Sequence, residues 1–208
     1  MRKGKRTYAL KKFLLETKQY FVQNLLKIFL TVTITSVVMC VVAYIFASKG
    51  VIDSKGIMLA LVEKMEDIEI SFTGIFKNNM VASGIIAITG VVPFLFIPTF
   101  IYAINVGVIG VLLAVMNGIG ENPITSLVFG ILPHGITELT AIFLSTTIGI
   151  KICSNISLLI LRKKKLAVVE KEMQYMLVIY IFVVIPLLAI SAVIEAYATG
   201  WIVEKFLG

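Results

Sequence analysis

Histidine occurs once in this sequence, at position 134, and cysteine only twice, at Cys40 and Cys153. Two cysteines in separate apolar stretches build neither a disulfide framework nor a thiolate metal site, and they read as small buried hydrophobes. A single histidine excludes the His-Glu-x-x-His pattern. Gly-x-Ser-x-Gly elbows, paired aspartates at intramembrane-protease spacing and phosphate-binding glycine loops are missing as well, so no catalytic residue and no cofactor is expected. Charge is also scarce: Asp, Glu, Lys and Arg make up 15% of the 208 residues against 59% hydrophobic, and the mean hydropathy is +1.00. Soluble domains carry about 25% charged residues, so this composition excludes one and places the chain in a bilayer.

The charge that is present is uneven. Nineteen Lys and Arg face twelve Asp and Glu, for a net charge of +7. The basic residues cluster beside apolar segments without interleaved aromatics, which points to anionic lipid as the partner and away from nucleic acid. Residues 1–27 hold eight of them against the single acid Glu16. Leu10, Phe13, Leu14, Thr17, Phe21 and Leu25 recur there at near-helical spacing, so this cytoplasmic segment is expected to lie along the membrane surface with its lysines on anionic headgroups. The first apolar run begins too late for an ordinary signal peptide and reads as a retained span.

The hydrophobic runs predict an all-α polytopic bundle, one membrane domain of about five transmembrane helices. The first span is 28–46. An external connection, 47–78, follows, in which Met58, Leu61, Val62, Met65, Ile68, Phe72 and Ile75 form an apolar stripe opposite Glu63, Glu66 and Asp67, an amphipathic helix either lying at the interface or packed over the mouth of the bundle. From Asn78 to Gly120 there is no charge over 43 residues, room for two spans at 79–99 and 101–118, with Pro93 and Pro98 at the kink and turn between them. Asn105, Gly107, Gly110 and Ala114 give the second of these a small-residue face for close packing, with Asn105 placed to hydrogen-bond across it. A fourth span, 124–152, precedes a basic connection, 153–172, whose Arg162, Lys163, Lys164 and Lys165 favour the cytoplasm. The fifth, 173–198, carries Pro186 as a kink and ends near Ser191, Glu195, Tyr197 and Trp201, an outer interfacial belt with Glu195 at headgroup depth. The N-terminus is thus expected inside and the C-terminus outside the cell membrane.

Within the fourth span, Pro133 lacks an amide hydrogen and disfavours helical geometry at Leu132, while Gly135 tolerates backbone that other residues avoid. The span is therefore expected to break at Pro133-His134-Gly135 and restart. His134 and Glu138 then share a face one turn apart, in a polar knuckle. An ionised group at bilayer depth costs several kcal/mol, so the pair is expected to face the bundle interior, a recess, or each other. Three roles stay open: a structural bridge for broken backbone, a protonation-sensitive site, or metal ligation. His-x-x-x-Glu is only half of a usual zinc site, and no metal is expected from it. A serine such as Ser145 or Ser154 could in principle pair with His134, but nothing in the sequence orients either as a nucleophile.

The run Ile131-Leu132-Pro133-His134-Gly135-Ile136-Thr137-Glu138-Leu139-Thr140-Ala141-Ile142, with Gly149 beyond it, resembles the signature of the stage II sporulation protein M family. Asn78-Asn79 and Asn105 with Gly107 and Gly110 are supporting matches, and the resemblance covers roughly residues 75–155. It implies an all-helical integral membrane protein without known catalytic activity. The family's namesake is a membrane anchor that brings peptidoglycan-degrading partners to the septum during engulfment, and similar proteins accompany the production, export or immunity genes of circular bacteriocins. The resemblance thus implies a scaffold with membrane or envelope protein partners. A transport, export or immunity component using the knuckle as a polar recess is the alternative, an intramembrane enzyme with His134 as base is a third, and a homo-oligomer is compatible with each.

Overall fold

The computed structural model describes residues 2–53, 56–59 and 71–207, and the described residues are helical apart from turns and short irregular connections. The amphipathic stripe expected between Met58 and Ile75, with Glu63, Glu66 and Asp67, lies mostly outside them. Among the described residues, four stretches are long and apolar enough to cross a membrane: Lys11–Ser48, Ile97–Gly118, Pro123–Ile160 and Leu166–Phe206. An all-α membrane helix bundle is the result.

α1 (Arg2–Tyr20) runs through a π turn, Phe21–Leu25, into α2 (Leu26–Ser48). The basic N-terminal segment is therefore a continuation of the first span and does not form a separate surface helix. Its apolar stripe is engaged by protein: the Phe13 and Tyr20 rings lie 5.4 and 5.2 Å from the ring of Tyr175, and Leu25 is fully buried. In α2 the hydroxyls of Thr31, Thr33 and Thr35 donate back to the carbonyls of Lys27, Phe29 and Thr31 at 2.9 Å. These bonds let threonine occupy an apolar span without an unsatisfied donor.

α3 (Phe72–Ile88) starts where Ser71 caps it, its side chain accepting from the Gly74 amide at 3.1 Å, and closes in a 3₁₀ turn, Thr89–Val91. It begins seven residues before the expected 79 and ends well short of 99. At 17 residues it spans roughly 25 Å, the lower limit for a crossing helix. Residues 92–96 are irregular and tied down, the Phe94 amide donating to Ser157 Oγ at 2.9 Å and the Cys153 thiol to the Val92 carbonyl at 3.3 Å. α4 (Ile97–Gly118) then begins with Pro98 in its first turn, where the missing amide hydrogen costs nothing.

The next helix departs most from the sequence expectation. α5 (Pro123–Thr125), a π turn at Ser126–Ile131 and α6 (Leu132–Ile160) follow without interruption. Leu132 is helical, with φ −61° and ψ −30°, and Gly135 is not among the glycines with positive φ. The break expected at Pro133-His134-Gly135 does not form, because Pro133 stands at the start of α6 and the widened turn just before it absorbs the register change. α6 also continues to Ile160, so the expected connection 153–172 shrinks to a tight turn in which Arg162 adopts a left-handed φ of 55°. α7 (Leu166–Ile179), a π turn at Tyr180–Val184, α8 (Ile185–Ile194), a second π turn at Glu195–Thr199 and α9 (Gly200–Leu207) complete the chain.

α6 is the central helix, buried without a gap from Ala141 to Gly149. It runs parallel to α3: Ser83 bonds Ser145 at 2.8 Å, and Gly90 lies against Gly149. A methyl on Gly90 would sit 2.1 Å from the Gly149 carbonyl oxygen, so this approach requires glycine. α2 and α4 form a second parallel pair that closes at Gly110, where a methyl would meet the Cys40 carbonyl oxygen at 2.2 Å. Ala114 of the expected small-residue face is also buried, packed with Ala47 and Val111, but Gly107 and Asn105 are not used for packing. Nothing lies within 4 Å of a methyl placed on Gly107, and Asn105 is exposed, donating at 2.9 Å to Ile101 of its own helix.

Candidate functional site: a His-Glu-Glu cluster at one end of the bundle

Two polar clusters stand at opposite ends of α6. From Asn155 back to His134 is 21 residues, or roughly 32 Å of helix axis, about the thickness of a hydrocarbon core.

At the end carrying Arg162–Lys165, Glu172 is saturated with partners. Its Oε1 accepts from Lys164 Nζ at 2.7 Å, and its Oε2 accepts from Asn155 at 2.9 Å and from the Tyr20 hydroxyl at 3.1 Å, with Lys151 Nζ at 4.0 Å. Lys164 also donates to Asn155 Oδ1 at 2.9 Å. Beside it, Glu16 accepts from the Tyr175 hydroxyl at 2.7 Å and pairs with Lys171 at 3.3 Å. Negative charge is matched by lysine, and α1, α6 and α7 are fastened together by the match.

At the other end, His134 and Glu138 lie on the first turns of α6, both half-buried. Glu195, opening the π turn after α8, comes to meet them: one donor atom from each of the three lies within 4.8 Å of the others. No ion pair or hydrogen bond closes among the three, and no lysine or arginine among the described residues pairs with either carboxylate. The surrounding hydroxyls serve the backbone and the ring, and that of Ser191 also lies beside the Glu138 carboxylate. Thr137 and Ser191 donate to the His134 carbonyl at 2.9 and 3.2 Å, while Thr199 Oγ1 lies 3.2 Å from His134 Nδ1 and donates to the Ile194 carbonyl at 3.3 Å. With the Thr199 hydroxyl donating to Ile194, its oxygen is placed to accept from an Nδ1–H, the tautomer that would leave Nε2 with a free lone pair.

Sequence reasoning placed His134 and Glu138 together but left Glu195 at headgroup depth with no role. It is the third member of the cluster. The readable signal was on its own helix: Ser191, Glu195 and Thr199 follow one another at four-residue spacing, a polar stripe in an otherwise apolar segment. Pro133 contributes by starting α6, and Gly135 by being small, since a methyl there would crowd Ile131 at 3.3 Å. Ser145 is eleven residues from His134 on the same helix, roughly 16 Å along the axis, and bonds Ser83; Ser154 is farther still. The structure therefore supplies no serine–histidine pair from those positions.

The family model described as "Stage II sporulation protein M" matches residues 63–200, a stretch that contains all three cluster residues and extends beyond the resembling region on both sides. "Uncharacterized protein MJ0793" of Methanocaldococcus jannaschii is 32% identical over 142 residues, covering 68% of this chain and 78% of that protein. No solved structure matches. With the central helix, its signature run and most of the bundle inside the matched stretch, the chain belongs to the stage II sporulation protein M family.

Proposed function

We propose that this membrane-embedded protein is a non-enzymatic scaffold or accessory subunit that recruits membrane or envelope proteins, the role implied by its family resemblance. The observation that supports it is the fully hydrogen-bonded polar midsection of the bundle. Ser83 bonds both Ser145, at 2.8 Å, and the Tyr180 hydroxyl, at 3.1 Å, and Tyr102 donates to the Val32 carbonyl. Thr146 and Thr147 donate to the Ile142 and Phe143 carbonyls at 2.9 and 2.7 Å. Among the described residues no buried side-chain nitrogen or oxygen lacks a partner. A conducting or alternating path needs polar groups free to exchange ligands with a moving solute; here Ser83, Ser145, Tyr180 and Tyr102 tie helix to helix and Thr146 and Thr147 are satisfied within α6, as suits a rigid anchor. In this role the basic N-terminus and the Arg162–Lys165 turn face the cytoplasm and anionic lipid.

The outward-facing apolar side chains, such as Val37, Ile104 and Phe182, at 63, 69 and 70% exposure, are where partners would dock. Photo-crosslinking residues at these positions in native membranes should give discrete protein adducts at one or more of them. Adducts with lipid alone at all three would contradict recruitment. Labelling of cysteines placed at 163–165 from outside intact cells would contradict the orientation.

A further inference from the structure

We propose that His134, Glu138 and Glu195 form a binding site for a divalent transition-metal ion of the zinc class, a property beyond the scaffold role and independent of it. The first ground is charge. Two carboxylates brought within 4.8 Å of each other on largely apolar helices repel one another, and nothing among the described residues offers them a lysine or arginine. At the opposite end of the same helices every carboxylate that faces protein is matched by lysine. A divalent ion supplies the missing positive charge in the smallest volume.

The second ground is the donor set and its geometry. One imidazole and two carboxylates suit a borderline cation such as Zn²⁺ better than Ca²⁺ or Mg²⁺, which favour all-oxygen shells. His134 and Glu138 are related as i and i+4 on one helix, the spacing that turns two side chains toward one ion, and Glu195 closes the site from the facing helix. Ligands at about 2.0–2.2 Å from a tetrahedral ion stand roughly 3.4 Å apart. The three side chains must therefore close by up to roughly 1.4 Å, within the reach of the two glutamate rotamers.

The third ground, independent of the carboxylates, is the ring. His134 Nδ1 is held by Thr199 Oγ1 at 3.2 Å, with the Thr199 hydroxyl fixed in turn on the Ile194 carbonyl at 3.3 Å. This is the outer-shell arrangement that sets tautomer and orientation in metal-ligating histidines, and it presents Nε2 as the ligand nitrogen. Both helices reach the site through a π turn, Ser126–Ile131 before His134 and Glu195–Thr199 on the facing side. The second of these carries both Glu195 and Thr199. Such turns re-aim side chains at functional sites and cost hydrogen-bond geometry to maintain. Three protein ligands leave one coordination position for water or a partner's side chain.

The test uses full-length protein in detergent, freed of any affinity tag and stripped with chelator, with Zn²⁺ itself as the probe. Titration calorimetry should give about one ion per chain. Glu195→Gln and Glu138→Gln should each weaken binding by about 100-fold or more, and Thr199→Val, which frees the ring without removing a ligand, by roughly 10-fold to 100-fold. Co²⁺ titration of the unaltered protein covers the case in which the variants do not fold: visible absorption bands that saturate at one equivalent and disappear on adding Zn²⁺ support the site. Absence of those bands, or a Zn²⁺ affinity unchanged in Glu195→Gln and Glu138→Gln, would overturn it and leave a carboxylate pair that shares a proton.

Discussion

The two ends of α6 solve the same problem in opposite ways. Near Lys164, Glu172 has two lysines, an asparagine amide and a tyrosine hydroxyl around it; near His134, Glu138 and Glu195 have one another and an imidazole. The first arrangement is complete within the chain and ties three helices together. The second, on the proposal above, is completed by a cation from outside. Polar residues near a membrane interface are therefore not one class: where their charges already cancel they report architecture, and where they do not they report a ligand.

The comparison presupposes a rigid bundle between the two ends, so the largest effect belongs there. Gly149→Leu puts atoms where a methyl alone would lie 2.7 Å from the Ile86 carbonyl oxygen and from Pro98 Cγ. A loss of roughly 4 kcal/mol is expected, since backbone on one side and a proline ring on the other cannot yield. Little folded protein should survive size-exclusion chromatography. Next comes the lysine-matched end. Glu172→Ala strands Lys164, whose side chain is 17% exposed, and should cost about 3 kcal/mol, read as a fall in Tm.

The His-Glu-Glu end should respond with the opposite sign. In chelator-stripped protein, Glu195→Gln removes one of two mutually repelling charges and should raise stability by on the order of 1 kcal/mol. A fall like that of Glu172→Ala would erase the distinction between the ends. The smallest effect is expected at the exposed Glu16–Lys171 pair: Lys171→Gln should leave Tm indistinguishable from the unaltered protein, because exposed pairs are screened and mobile.

Much of the fold was legible because hydrocarbon imposes simple rules. The charge-free stretch from Asn78 to Gly120 and the basic turn at Arg162–Lys165 are statements about solvent, and solvent selects the helices. Their limits were less legible, because capping and turn geometry decide them: Ser71 starts α3 early, and Arg162 in a left-handed conformation lets α6 run to Ile160. The proline was misread for a related reason. Pro133 breaks a helix only when it falls in the interior, and a π turn at Ser126–Ile131 placed it at a start. Gly107 and Gly110 look alike in sequence, yet only Gly110 meets a neighbour, since which side of α4 faces α2 is set by packing. Half of the candidate site was visible as His134 and Glu138. Glu195 was not, because 57 residues separate it from Glu138 and contact across that distance is decided by the antiparallel return of α8 along α6.

The most direct measurement is thermal unfolding of chelator-stripped protein with and without Zn²⁺, for the unaltered chain, Glu195→Gln and Glu172→Ala. At a free ion concentration about 100 times Kd, binding to the native state adds about 2.7 kcal/mol. The account predicts that Zn²⁺ raises Tm for the unaltered chain and, from its lower starting point, for Glu172→Ala, while Glu195→Gln does not respond. No Zn²⁺ response in the unaltered chain, or an equal rise in Glu195→Gln, would contradict it.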